Sequence, residues 1–181
     1  AYPFPMAMHQ LTEQQELLQA TTLDFATREL APRAAEIDES QSFPRENFDG
    51  LAALGLCGLT IDEDAGGAGG GYADIAVVIE ELAAVCGSTS TVYVTHVSLG
   101  TASIAQFAND EQKSRLIPSL ASGEKIAAFA LTEPGTGSDA LAMKTTAIRN
   151  GDDYVLNGAK TFITNGAVAD TFTVFVNSDP D

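Results

Sequence analysis

Residues 128–166 read AFALTEPGTGSDALAMKTTAIRNGDDYVLNGAKTFITNG, and this stretch decides the fold. Short apolar runs flank two Asn-Gly pairs, Asn150-Gly151 and Asn157-Gly158. Asn-Gly is a typical centre of a two-residue hairpin, because that turn requires positive φ at both central positions. The alternating run DTFTVFV follows at residues 170–176. We therefore predict about four antiparallel strands in this part of the chain.

The segment TEPGTGSD, residues 132–139, has three possible interpretations. The first is a β-turn with solvated carboxylates. The second is a loop that holds a phosphate-bearing ligand, since Gly135 and Gly137 permit positive φ and close approach of a ligand. The third is an acid–base pair of Glu133 and Asp139, although no neighbouring histidine or apolar shield would separate their pKa values. The residues alone leave these alternatives open and favour the turn.

The preceding part of the chain predicts helices. Thr12 and Gln15 have the spacing of a capping box, and Pro44 stands at a typical helix start. Asn109, followed by two acidic residues, is typical of another helix N-terminus. Five glycines within residues 66–71 predict a loop between helices.

The change from helical to strand patterns predicts an α+β protein with two domains. We expect a tail at residues 1–9, an all-α domain at residues 10–123, and an antiparallel β domain at residues 124–181. The sequence stops directly after the alternating strand, which would leave an open apolar edge. We therefore expect the β domain to be incomplete.

Composition excludes several classes of function. The 181 residues carry 9 Lys and Arg against 25 Asp and Glu, a net charge of −16, so we expect no nucleic acid partner. No apolar run approaches the ~18 residues of a membrane span. Cys57, Cys86 and two histidines lack the spacing of metal ligands, so we predict no metal site and buried free thiols of a cytoplasmic protein.

The quoted stretch resembles the acyl-CoA dehydrogenase family almost residue for residue. A second stretch, FPRENFDGLAALGLCGLTIDEDAGGAGGGYADIAVVIEELA at residues 43–83, resembles the helical domain of the same family. The resemblance extends over residues 10–177. It implies an N-terminal helical domain, a middle β domain, and a C-terminal helical bundle that this sequence lacks.

The resemblance also implies a binding site for FAD. Leu131 backbone groups and the Thr132 hydroxyl would meet the pyrimidine edge of the flavin, and Phe162 would cover its face, where many members have tryptophan. The full set of implied cofactor residues is Phe129, Leu131, Thr132, Gly137, Ser138, Phe162, Ile163 and Thr164. Without the resemblance, Phe162 would be interpreted as a core residue of a hairpin.

The substrate implied by the resemblance is an acyl-CoA thioester. Ser138 would border it, and Thr91, Thr95 and Leu99, spaced four apart, would line the acyl pocket. As plain helix residues these three need no ligand, so the core interpretation stays open. His96 falls off that face, and we predict a structural histidine rather than a catalyst.

The reaction implied is α,β-dehydrogenation, in which a carboxylate removes the α-proton and the β-hydrogen leaves as hydride to the flavin. In the family that carboxylate is a glutamate of the C-terminal bundle, so we assign no catalytic residue within this sequence. Implied partners are an electron-transferring flavoprotein and further copies of the chain, as a homo-tetramer or homo-dimer. The implied location is the cytoplasm, or the mitochondrial matrix in a eukaryote.

Two alternatives remain at this stage. One is a relative with the same fold and other chemistry, such as an oxidase or a desulfinase. The other is a noncatalytic flavin- or CoA-binding module formed by this portion alone. We expect the isolated portion to be inactive and to bind FAD weakly, because the missing bundle closes the family's site.

Overall fold

The computed structural model describes residues 10–178, in which helices come first and strands follow. The helices are α1 (Glu13–Phe25), α2 (Ala34–Ser40), α3 (Arg45–Ala53), α4 (Tyr72–Val85), α5 (Gly87–Val94), α6 (Ala102–Phe107) and α7 (Asp110–Ala121). The strands are β1 (Ala127–Ala130), β2 (Thr146–Asn150), β3 (Asp153–Asn157) and β4 (Thr171–Val174). The predicted order of a helical part followed by a small sheet region is confirmed. The predicted tail at residues 1–9 lies outside the described residues.

Two of the helices begin at the N-terminal residues that the sequence predicts, Thr12 and Asn109, and both form capping boxes, although the sequence predicts only the first as a box. The Gln15 amide donates to the Thr12 hydroxyl at 3.2 Å, and the Gln15 side chain accepts from the Thr12 amide at 3.1 Å. Asn109 and Gln112 make the same reciprocal pair at 2.9 and 3.1 Å. Each box satisfies two amides that the first helical turn leaves unpaired, so the local sequence fixes where α1 and α7 start.

A long central helix forms the core of the helical part. A π-helical segment, Thr95–Thr101, joins α5 to α6 without a break. Tyr93 and Val97 of this helix pack with Val78 and Leu82 of α4 in one fully buried cluster. Burial of an apolar side chain of this size stabilises the fold by about 1.5–3 kcal/mol. The central helix therefore anchors everything that packs on it.

Strand β1 lies directly against that helix. A Cβ placed on Gly100 would be 2.5 Å from the Cβ of Ala127, closer than two carbon atoms can approach. Glycine at position 100 is what allows the strand and the helix to touch. Because β1 packs on the helical part in this way, the division into two domains at residue 123 stays a prediction.

A hairpin beside Asn150-Gly151 is confirmed, but Asn150 ends β2, so the two central residues of the turn are Gly151 and Asp152. Strands β2 and β3 pair antiparallel from Thr146↔Asn157 to Asn150↔Asp153. Gly151 has positive φ, +66°, but Asn150 does not, so the predicted requirement for positive φ at both residues of the pair is wrong. Ile148 and Val155 are paired across the hairpin and both are exposed.

The antiparallel pairing predicted for the remaining two strands, β1 and β4, is wrong. Strand β1 pairs with β4 in parallel, not antiparallel, with Ala127 opposite Thr171 and Ala130 opposite Val174. Parallel neighbours need a long crossover instead of a tight turn, and residues 131–170 provide it. Asn157-Gly158 does not form a second hairpin, because a loop and turns follow it over residues 158–170.

Within residues 10–178, no helix is both long and apolar enough to cross a membrane. In the same range, no group of three His, Cys, Asp or Glu side chains could hold a metal ion. Cys57 and Cys86 are free and buried, as predicted, and burial together with nearby Asp49 raises the pKa of the Cys57 thiol to about 12. That thiol is therefore a packing group and not a nucleophile.

Candidate functional site

The residues that follow β1 meet the residues that precede β4. The ammonium of Lys160 donates to the Leu131 carbonyl at 2.9 Å, and the Thr161 amide donates to the Thr132 carbonyl at 2.9 Å. These two bonds join segments that lie about thirty residues apart in sequence. The structure thus brings together Leu131 and Thr132 with Phe162, which the resemblance places on opposite parts of one flavin.

Phe162 is the most unusual residue of this region. Its φ is +55°, in the left-handed region that a bulky side chain rarely adopts, and its side chain is 90% exposed. The interpretation of Phe162 as a hairpin core residue is therefore wrong. A strained backbone that displays an aromatic ring to solvent is a common sign of a functional position.

A short turn follows Phe162 and fixes its neighbours. Ile163 and Thr164 are half-buried, and Asn165, with φ of +66°, reverses the chain. The Asn165 side-chain amide donates at 3.1 Å to the carbonyls of both Val92 and Ala127. This asparagine ties the turn to the central helix and to β1, and sequence reasoning missed it. Its signal was the Asn-Gly pair at residues 165–166, which marks a turn but not its contacts.

An open depression of about 550 Å³ lies beside Phe162. Its floor and walls come from the end of β1, the Lys160 loop and the outer residues of β4, and the lining residues are Ala130, Lys160, Thr161, Phe162, Ile163, Gly166, Ala167, Phe172 and Val174. Apolar walls with a few convergent polar groups are typical of ligand sites.

Phe129 does not reach this depression. Successive strand residues point to opposite faces, so Phe129 lies on the other face of β1 from Ala130, which lines the depression. Its ring packs against Phe175 with centroids 4.9 Å apart. Only the Phe129 backbone remains available for the predicted contact along the flavin.

The segment TEPGTGSD, residues 132–139, differs from the expectation in the backbone conformation of its glycines. Glu133 and Thr136 exchange two backbone hydrogen bonds of 3.1 Å around Pro134 and Gly135, which is a β-turn. Neither Gly135 nor Gly137 has positive φ, so the conformational reason predicted for these glycines is wrong. A Cβ on Gly137 would meet no atom within 4 Å, and Ser138 beside it is exposed. The 137–138 backbone therefore stays open to a ligand.

Glu133 is buried, contrary to the solvated carboxylate of the turn interpretation. Its carboxylate accepts from the Lys144 amide at 2.7 Å, the Thr145 amide at 2.9 Å and the Lys160 ammonium at 2.9 Å. The adjacent Thr145 hydroxyl and these donors lower the pKa of Glu133 to about 2. The Thr145 hydroxyl forms no hydrogen bond with acceptable geometry. We therefore attribute the lowered pKa of Glu133 mainly to the two amides and the ammonium. Asp139, by contrast, is exposed.

His96 is a structural residue, as predicted. It is fully buried, its Nδ1 accepts from the Ala127 amide at 3.0 Å, and its Nε2 donates to the Leu120 carbonyl at 3.1 Å. The Phe48 ring packs against it almost at a right angle, with ring centroids 5.1 Å apart. Burial lowers the pKa of His96 to about 4, against the opposing effect of the Leu120 carbonyl. The neutral imidazole of His96, with hydrogen bonds at both ring nitrogens, therefore fixes β1 to the helices.

The three residues predicted to line an acyl pocket do not share one environment. Thr91 is exposed and its hydroxyl donates to the Gly87 carbonyl at 2.9 Å, Thr95 is buried, and Leu99 is 42% exposed. The π-helical segment that begins at Thr95 changes the angular spacing beyond the α-helix. None of the three lines the depression beside Phe162. Their substrate role stays a prediction.

Comparisons with known proteins identify the family. Residues 12–124 match the acyl-CoA dehydrogenase N-terminal domain, and residues 128–181 match the acyl-CoA dehydrogenase middle domain. The chain is 44% identical over 169 residues to the short-chain specific acyl-CoA dehydrogenase of Clostridium acetobutylicum, with 93% of this chain and 45% of the relative covered. It is 40% identical to bovine mitochondrial isovaleryl-CoA dehydrogenase, with 98% and 42% covered.

Solved structures give the same result. Butyryl-CoA dehydrogenase of Megasphaera elsdenii superimposes with a TM-score of 0.87 at 37% identity, over 92% of this chain and 45% of that one. A Bacillus anthracis acyl-CoA dehydrogenase in complex with FAD gives 0.88 at 39% identity, over 95% and 30%. A chain from a study of the electron transferring flavoprotein of Acidaminococcus fermentans gives 0.90 at 38%, over 94% and 45%. The sequence spans less than half the length of these relatives, and it belongs to the acyl-CoA dehydrogenase family.

Proposed function

We propose that the protein to which this sequence belongs uses FAD to oxidise an acyl-CoA thioester to the α,β-unsaturated thioester. One observation carries the proposal: hydrogen bonds hold the Leu131–Thr132 segment beside Phe162, an exposed aromatic ring on a strained backbone. Family membership, and the FAD complex of the Bacillus anthracis relative, support the choice of cofactor.

The residues present fit a flavin in three respects. Phe162 offers an apolar ring that is 90% exposed and lies outside the core of the described residues, 10–178. Among residues 10–178, the amide of Thr132 has no hydrogen-bond partner, so it is available to an acceptor atom. The backbone at Gly137 and Ser138 has open space in front of it, which a pyrophosphate requires.

Each residue then has a defined task. Phe162 covers one face of the ring and excludes water from it, while Thr132 and Leu131 orient the polar edge. Ile163 adds apolar contact with the flavin, and Thr164 donates a hydrogen bond to it from its hydroxyl. Gly137 and Ser138 bind the pyrophosphate of FAD. When bound, FAD supplies the acceptor for the hydride that leaves the β-carbon of the thioester.

Removal of the α-proton requires a carboxylate base with a pKa near the working pH. Glu133 is unsuitable, because its pKa is lowered to about 2 and its oxygens already accept from two amides and an ammonium. We therefore assign the base to a residue outside this sequence.

We extend the proposal to substrate, partners and location. Ser138 would border the CoA thioester, with Thr91, Thr95 and Leu99 facing its acyl chain. The names of the relatives, which include butyryl- and isovaleryl-CoA dehydrogenases, support a short or branched acyl group. An electron-transferring flavoprotein would receive the electrons, the protein would act as a homo-tetramer or homo-dimer, and it would work in the cytoplasm or, in a eukaryote, the mitochondrial matrix.

Anaerobic reduction of the flavin tests the function. The full-length protein should bind FAD, and butyryl-, isobutyryl- or isovaleryl-CoA should bleach its visible band. Phe162→Ala should weaken FAD binding by roughly 5- to 30-fold, given the ~1–2 kcal/mol of a lost aromatic contact. Phe107→Ala is the matched control, because Phe107 is also exposed, at 77%, and lies on α6. Full-length protein without FAD, or FAD that no acyl-CoA bleaches, would refute the proposal.

A further inference from the structure

One ion pair differs from the others in the described part of the chain. The Lys160 ammonium lies 2.9 Å from the Glu133 carboxylate, and the two side chains are only 10% and 6% exposed. Every other ion pair within residues 10–178 has both side chains at least 40% exposed. Two charges removed from water lose hydration energy that their attraction repays only with good geometry and further hydrogen bonds. A pair in this position calls for an explanation other than stability.

The pair connects three segments that are distant in sequence. Glu133 follows Leu131 and Thr132, and its carboxylate also accepts from the amides of Lys144 and Thr145, at 2.7 and 2.9 Å. Lys160 comes from the loop that leads to Phe162. The pair and its two amide donors therefore fix the spacing between the Leu131–Thr132 segment and the loop that carries the exposed ring.

The second bond of Lys160 acts on one peptide group. The ammonium donates to the Leu131 carbonyl at 2.9 Å. In a trans peptide the carbonyl and the following N–H point in opposite directions, so the Thr132 N–H points away from the cation. A cation bound to a carbonyl draws electron density from the peptide and makes its N–H a stronger donor. This N–H has no partner among residues 10–178.

We propose that Glu133 and Lys160 form a buried positioning pair, which orients the Leu131–Thr132 peptide and strengthens its N–H as a donor to a bound ligand. The ligand class is an electron-accepting heterocycle with hydrogen-bond acceptor atoms at its edge. The identification of that heterocycle as a flavin rests on the proposed function. Neither residue touches the reacting atoms, and both act through the peptide.

The first test measures the bound flavin in the full-length protein. Lys160→Met removes the cation but keeps the length of the side chain, so the visible spectrum should change and the midpoint potential of the flavin should become more negative. Lys160→Arg keeps the charge and should restore most of the potential. Lys125→Met is the matched control, because Lys125 is exposed and its ammonium makes no hydrogen bond or ion pair among residues 10–178. An unchanged spectrum and potential in Lys160→Met would overturn the proposal.

The second test needs no cofactor. Hydrogen exchange of the flavin-free, full-length protein should become at least about tenfold faster at the Thr161 amide in Lys160→Met, since that amide bonds to the Thr132 carbonyl. Glu133→Gln should accelerate exchange at the Lys144 and Thr145 amides. Unchanged exchange at all three amides would overturn the positioning role.

The two tests separate the two proposals. Wild-type protein that binds no FAD would refute the proposed function, while exchange at the Thr161 amide would still decide whether the pair positions the peptide. Normal FAD binding with no effect of Lys160→Met in either test would refute the pair alone.

Discussion

The two ends of strand β1 differ in almost every physical respect. At the Ala127 end the strand is buried: Gly100 allows contact with the central helix, His96 accepts from the Ala127 amide, and Asn165 donates to the Ala127 carbonyl. At the other end the chain leaves the sheet at Leu131 beside an open depression. At the buried end both backbone groups of Ala127 have partners, whereas among residues 10–178 the other end has an unpaired Thr132 amide and an exposed Phe162 ring. The comparison teaches that a buried, hydrogen-bonded end holds the open end in a geometry suited to a ligand.

The largest expected effect is at the buried end. Gly100→Ala should destabilise the protein by roughly 1–3 kcal/mol, because the new methyl group would lie 2.5 Å from the Ala127 Cβ and force the strand from the helix. Urea unfolding of the full-length protein measures this. Gly87→Ala is the matched control: a Cβ there meets nothing within 4 Å, so a neutral or slightly stabilising change is expected. Equal effects at both glycines would show that the contact with β1 is not tight.

His96 should make stability depend on pH at the same end of the strand. Its pKa is about 4 when folded and ~6.5 when unfolded, so the unfolded chain binds more protons between these values. Stability should therefore fall as pH decreases from about 6.5 to about 4, by up to roughly 3 kcal/mol. The stabilising contribution of Glu133 is also lost in acid, but only below the ordinary pKa of about 4.5 for its carboxyl group.

The variant His96→Leu measures how much of this pH dependence comes from His96. The variant should be less stable by roughly 2 kcal/mol at pH 7.5, because the Ala127 amide and the Leu120 carbonyl lose their partner. Between pH 6.5 and 5 its unfolding free energy should change less than that of the wild type. The same slope in both proteins would assign the pH dependence to other groups.

The smallest effect on stability is expected at the open end. Phe162→Gly should leave the unfolding free energy unchanged or raise it by up to about 1 kcal/mol, because glycine relieves the positive φ of +55° and no core contact is lost. Thermal unfolding of the flavin-free protein measures this. A loss of more than about 2 kcal/mol would mean that Phe162 is a packing residue after all.

The predictions from sequence succeeded where short-range chemistry decides the structure. The capping box at Thr12, the helix start at Asn109 and the hairpin at Gly151 each depend on residues within four positions, and all three are confirmed. The prediction of buried free thiols at Cys57 and Cys86 likewise needed no tertiary information.

The failures in strand pairing and in the environment of Glu133 have one physical cause, which is contact over long sequence separation. Strand β1 pairs with β4 across forty residues, so no local pattern could show the parallel register. Gly158 follows an asparagine but lies against Thr145, where a Cβ would be 2.4 Å from the Thr145 hydroxyl oxygen, and that packing replaces a hairpin. The buried pair of Glu133 and Lys160 spans 27 positions, and nothing near Glu133 in sequence indicates its partner.

The candidate site shows the same division. The resemblance supplied Leu131, Thr132 and Phe162 as neighbours of a flavin, and the hydrogen bonds at Lys160 and Thr161 support their proximity. Neither local pattern nor resemblance indicated that Phe162 would have positive φ, because the backbone there is set by the anchors on both sides of it, Thr161 and Asn165.

Hydrogen exchange along β1, measured in the full-length protein with and without FAD, tests the contrast between its two ends most directly. We expect FAD to slow exchange in residues 131–138 and 161–164, the Thr132 amide above all, while the Ala127 amide is protected equally in both states. Protection by FAD that is confined to the helices, or a change at Ala127 with none at Thr132, would contradict the assignment of the open end of β1 as the ligand site.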